Sequence, residues 1–103
     1  MAEKYRLKYL PLFEHDLAGT KEYITNTLHN PIAATRLIEE TEKAILNRLS
    51  NPESFQKYHS VKDRKQPYYT IYVKNYTVFY VVIGNVMEVR RFIHSKRNMV
   101  DLV

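Results

Sequence analysis

Tyr68-Tyr69-Thr70-Ile71-Tyr72-Val73, then Lys74-Asn75, then Tyr76-Thr77-Val78-Phe79-Tyr80-Val81-Val82-Ile83, then Gly84-Asn85, then Val86-Met87-Glu88-Val89-Arg90-Arg91-Phe92-Ile93, closing on His94-Ser95-Lys96-Arg97: the architecture turns on this stretch. β-Branched and aromatic residues dominate each run, and two-residue breaks separate them, so the chain here reads as three consecutive antiparallel strands. Gly84-Asn85 fits a tight hairpin because glycine takes positive φ without steric cost, and Lys74-Asn75 is a weaker form of the same signal. The middle run is apolar or aromatic at nearly every position, which places it at the centre of the sheet with both faces covered. The last run ends in Arg90, Arg91, His94, Lys96 and Arg97, a cluster of cations at the rim of an apolar sheet.

Before the meander, Tyr5, Leu7 and Tyr9 alternate with Arg6 and Lys8, the period of a half-buried strand, which Pro11 ends. From Leu12 the period lengthens: Phe13, Leu17, Thr20, Ile24 and Leu28 form the apolar stripe of a first helix. Gly19 costs about 1 kcal/mol relative to alanine inside it, so the spacing predicts either a close packing contact there or an irregular helix. Asn30-Pro31 supplies an N-cap and a first-turn proline, restarting the helix. Ala34, Leu37, Ile38, Thr41, Ile45 and Leu49 then form a second stripe, closed by Ser50-Asn51-Pro52. Residues 53–67 lack a period and carry His59, Lys62, Arg64 and Lys65, as a basic loop would. The expected fold is α+β in one domain, residues 1–103: an N-terminal strand, an antiparallel helical hairpin lying on the sheet, then a three-stranded antiparallel meander.

The totals exclude several classes. The chain has no cysteine, hence no disulfide framework or thiolate site, which fits a reducing, cytoplasmic location. The Met-Ala-Glu-Lys-Tyr-Arg start lacks the apolar core of a signal peptide, and no apolar run reaches membrane-spanning length. His15, His29, His59 and His94 are scattered without metal-ligand spacing, and two glycines, Gly19 and Gly84, build no phosphate-cradling loop. No metal or cofactor is expected. The net charge of +5 is uneven: residues 56–97 carry nine Lys or Arg against Asp63 and Glu88, whereas residues 10–55 are net acidic. Such asymmetry fits either a polyanionic partner or a solvated cationic surface.

Several segments match a known pattern. Asp16-Leu17 and Tyr23-Ile24 lie in the first helix, Asn30-Pro31-Ile32-Ala33-Ala34 opens the second, and Leu49 to Pro52 closes it. Val73 to Tyr80 follows in the meander, and Arg91-Phe92-Ile93-His94-Ser95-Lys96-Arg97-Asn98 is similar to an Arg-x-x-His-x-x-Arg-Asp motif with Asn for Asp. Over nearly its whole length the chain resembles the RelE/ParE superfamily of toxins from bacterial type II toxin–antitoxin modules. The resemblance implies a growth-inhibiting protein neutralised by a cognate antitoxin. It implies one of two targets: messenger RNA on the ribosome for RelE-like members, DNA gyrase for ParE-like ones.

Metal-free RNA cleavage needs an acid, a base and cations for the developing phosphate charge. The expected catalytic set is His94, Arg91 and Arg97. Arg90, Lys96, Lys62, Arg64 and Lys65 are the expected substrate holders, with Tyr68, Tyr72, Tyr76 and Tyr80 as rings for stacking or, more simply, core. In a regular strand Arg90 and His94 share a face and Arg91 takes the other. The resemblance also marks a departure, since ribonuclease members commonly carry arginine where this chain has Thr77. A ribosome-dependent mRNA endonuclease is the first reading; a non-catalytic gyrase poison and a non-toxic antitoxin-binding relative are the alternatives.

Overall fold

The computed structural model describes residues 5–55, 57 and 67–96, and within them every expected strand and helix forms. The elements are β1 (Arg6–Tyr9), α1 (Pro11–Glu22), a π-helical turn (Tyr23–Thr27), α2 (Pro31–Leu49), β2 (Tyr69–Val73), β3 (Tyr76–Ile83) and β4 (Val86–His94). The four strands form one sheet in the order β1-β4-β3-β2. β2, β3 and β4 are the antiparallel meander, while β1 runs parallel to β4, from Arg6 opposite Val86 to Tyr9 opposite Val89.

Both faces of β3 are buried, as its continuous apolar run requires. Val78 and Tyr80 meet Phe13, Ile24, Leu37 and Ile45 of the helical layer, and Phe79 and Val81 join Tyr68 and Ile93 on the other face. Thr41 fits the buried stripe of α2 because its hydroxyl donates to the Leu37 carbonyl at 2.7 Å. Gly84 sits at φ +61°, the hairpin position that favours glycine.

The first helix departs from the continuous helix expected through Leu28. A Cβ on Gly19 would meet nothing within 4 Å, so close packing is not its reason. Instead the helix widens, with the Leu28 N–H donating to the Tyr23 carbonyl at 3.1 Å, five residues back. The wider turn shifts the phase of the stripe, so Ile24 stays buried while Leu28 swings out to 54% exposure. His29 then takes φ +55°, and the Asn30 N–H reaches back to the Ile24 carbonyl at 3.0 Å, closing the helix end. Asn30 also caps α2, its side chain accepting from the Ala33 N–H at 3.2 Å.

Candidate functional site

The sheet rim divides the expected cations. Opposite β3, the pairing of β4 slips: Val89 faces Tyr80 but Arg91 faces Phe79, leaving Arg90 as the extra residue of a bulge. The bulge breaks the expected alternation. Arg90 does not share a face with His94. It lies beside Glu88, donating to Oε1 from Nε at 2.9 Å and from Nη2 at 2.8 Å. Burial works against the Arg90 guanidinium, but Glu88 and Tyr68 together more than offset it, so its pKa lies above the ordinary arginine value. Glu88 is itself buried and is also approached by Lys8 Nζ at 3.8 Å.

Arg91 is held differently. Past Leu10, whose N–H reaches the Val89 carbonyl at 3.0 Å, β1 no longer pairs with β4. Asp16 of α1 fills that role. Its Oδ2 accepts from the Phe92 N–H at 3.0 Å and from Arg91 Nε at 2.8 Å, and its Oδ1 accepts from Arg91 Nη2 at 3.2 Å. The bond to Asp16 raises the Arg91 pKa above its ordinary value, against the opposing effect of burial. A planar fork on one carboxylate is a strong geometry, and here the carboxylate also stops the exposed strand edge.

His94 sits opposite Tyr76 on the helix-covered face, their rings edge-to-face at 5.0 Å. Tyr76 stacks on Phe92 at 4.8 Å, Phe92 meets Phe13 at 6.1 Å and Phe13 stacks on Tyr9 at 5.2 Å, so an aromatic row runs beneath α1 from β1 to the histidine. Burial raises the Tyr76 pKa, with Tyr23 adding to it. The Lys96 N–H donates to His94 Nδ1 at 3.2 Å, so the neutral ring carries its proton on Nε2. Thr77 is fully buried, its hydroxyl 2.7 Å from that of Ser95.

Two clefts of about 550 Å³ each meet at Tyr23, Tyr76 and His94. One runs along α1 past His15, Asp16 and Thr20. The other opens between the π-helical turn, α2 and the β2–β3 turn, over a floor of Ile24, Ala33 and Leu37, with Arg36 and Lys74 at its sides. Of the expected set, then, His94 and Lys96 are adjacent, Arg90 and Arg91 are bound elsewhere, and Arg97, Lys62, Arg64 and Lys65 lie outside the described residues. Of the four tyrosines, Tyr68 and Tyr80 are buried, Tyr76 is half-buried and Tyr72 is 70% exposed. Arg36, Lys74 and Tyr23 were not expected at a site. Arg36 stands between the buried Ala34 and Leu37, Lys74 lies in a hairpin, and only the fold brings both to His94. Among the described residues no cluster of His, Asp or Glu suits a metal ion, and no helix is long and apolar enough to cross a membrane.

A remote corner uses its polar groups to close the fold. Arg48 Nη1 donates to the Tyr80 hydroxyl at 2.8 Å and to the Thr70 carbonyl at 3.1 Å, and Tyr80 donates to the Pro52 carbonyl at 2.7 Å. The Arg48 guanidinium also lies over the Phe55 ring at 3.6 Å.

Comparison with known proteins agrees with this architecture. Residues 7–99 match the family model described as the ParE toxin of the type II toxin–antitoxin system, parDE. The fold is similar to a chain of the chromosomal ParDE toxin–antitoxin system of P. aeruginosa, with a TM-score of 0.71 and 13% identity over 92% of this chain and 100% of that one. It is also similar to a chain of the archaeal RelE–RelB complex of Pyrococcus horikoshii OT3, with a TM-score of 0.55 and 19% identity over 92% and 99% of the two chains. Among curated proteins none matches the sequence.

Proposed function

The chain belongs to the ParE toxin family of type II toxin–antitoxin systems, and from that membership we propose that it arrests growth by binding DNA gyrase, without cleaving RNA, until a cognate antitoxin neutralises it. The observation that carries this choice of target is the Arg91–Asp16 pair. The arginine of the Arg-x-x-His motif is committed through two bonds to a carboxylate of α1. A ribonuclease centre needs that charge on the phosphate beside its acid or base. Three further features support the reading. Arg90 is bound to Glu88 across the bulge, His94 spends Nδ1 on a backbone N–H, and Thr77 is sealed against Ser95 where a ribonuclease relative would carry arginine.

Inducing the toxin without antitoxin, and following plasmid supercoiling, translation and mRNA ends in one culture, tests the proposal. Early loss of negative supercoiling with intact messages is the expected result. Prompt translation arrest with new mRNA ends would overturn it and return His94, with Arg97 and the basic loop, to a ribonuclease role. Folded, soluble protein that arrests nothing would make the chain a non-toxic relative.

A further inference from the structure

The cleft beside His94 has an unusual mouth. The π-helical turn leaves Tyr23 52% and Leu28 54% exposed, and Ile32, the second residue of α2, is 71% exposed. These side chains continue the apolar floor outward, past Arg36, onto the groove formed by Pro31, Ile32, Thr35 and Glu39. An uninterrupted α-helix would have kept Leu28 in phase with the buried Ile24, four residues before it. Local irregularity of this kind recurs at functional sites, and here its product is an apolar strip leading into a cavity.

Charge identifies the occupant. The cleft's lining holds Arg36, Lys74 and His94 and no carboxylate. Lys74 reaches Glu40 at 3.4 Å in a solvent-exposed pair, a weak hold that a partner's carboxylate can replace. No carboxylate among the described residues pairs with Arg36. The exposed apolar surface runs on beyond the cleft to Ile32 and the neighbouring groove, so its occupant covers more than the cleft itself. We infer that this cleft docks an acidic segment of the antitoxin, whose apolar side chains enter between Tyr23, Leu28 and Tyr76 while its carboxylates meet Arg36 and Lys74. The inference rests on neutralisation by an antitoxin and is independent of which target the toxin poisons.

The test compares free toxin with the purified complex formed by the antitoxin encoded beside it. Amide hydrogen exchange is followed across residues 23–37, and dissociation constants are measured for the wild type, Arg36→Glu and Leu28→Asp at low and high salt. In the complex, amides of the turn should exchange at least about tenfold more slowly. Arg36→Glu should weaken binding by about tenfold or more and flatten its salt dependence. Leu28→Asp should weaken it at all salt concentrations. Circular dichroism checks that both variants fold. Unchanged exchange at the turn, or affinities within about threefold of wild type in both variants, would overturn the inference. So would a toxin dimer in sedimentation that Arg36→Glu dissolves, since the strip would then serve a second copy. Supercoiling inhibition by the free variants is scored separately, so loss of the gyrase reading leaves this result standing.

Discussion

Two arginines, Arg91 of the sheet and Arg36 of the helical layer, are treated in opposite ways. Arg91, 16% exposed, is gripped by an Asp16 that is 13% exposed and also holds the Phe92 N–H. Arg36 stands between a cleft whose lining holds no carboxylate and a groove that it shares with Glu39, and it forms an ion pair with no carboxylate among the described residues. The first arrangement spends charge on closing an edge, and the second leaves charge available to a partner. The largest expected effect follows from the first. Asp16→Ala strands a partly buried guanidinium and a backbone donor together, and should cost about 3 kcal/mol in urea unfolding. Asp16→Asn, which still accepts from Phe92, should cost less. A loss under about 1 kcal/mol in the alanine variant would erase the distinction between the two arginines and weaken the case against a phosphate role for Arg91.

The Arg48 corner extends the same logic away from the cleft. Tyr80→Phe removes a hydroxyl that accepts from Arg48 and donates to the Pro52 carbonyl, taking one bond from each while Arg48 keeps the Thr70 carbonyl, and should destabilise by about 1–3 kcal/mol. With Arg48→Met in a double-mutant cycle, the two losses should be strongly non-additive. Additive losses would show that the corner is two separate contacts rather than one latch.

A smaller effect, confined to alkaline solution, concerns tyrosine. Burial raises the pKa values of Tyr9, Tyr69, Tyr76 and Tyr80 above their ordinary value, and Arg48 opposes the shift at Tyr80. Below about pH 10 both folded and unfolded chains hold these protons, and stability is unaffected. Above it the unfolded chain releases protons that the folded one retains, so stability should fall as pH rises. Tyrosine absorbance and circular dichroism in parallel will show whether ionisation and unfolding coincide. Tyrosines titrating freely in the folded protein would mean that the aromatic row is more open than its packing indicates.

The strands were legible because their pattern is local: β-branched and aromatic runs cut by two-residue turns need no distant information. The cap at Asn30 and the proline after it were legible for the same reason. Three features were not. The parallel pairing of β1 with β4 joins the two ends of the described chain, and a strand's alternation does not name its neighbour. The π-helical turn inserts its extra residue where Ile24 and Leu28 still look regularly spaced. The bulge at Arg90 arises between β3 and β4, so counting along β4 alone put Arg90 and His94 on one face. For the site, His94 stood out by residue type and motif. Asp16 lies 75 positions from Arg91, and Arg36 and Lys74 belong to separate elements, so only the packed fold shows which cation is committed and which is available.

The smallest expected effect is the sharpest for the comparison. If Arg36 serves a partner rather than the fold, Arg36→Ala should change unfolding free energy by less than about 0.5 kcal/mol, as for an exposed side chain away from caps and core. The same variant should bind antitoxin measurably less well. A stability loss above about 1 kcal/mol would mean that Arg36, like Arg91, holds the molecule together, and the cleft would lose the cation that defines its occupant. Unchanged stability with weakened binding would instead separate the two arginines by role: one closes the toxin, and the other meets the protein that silences it.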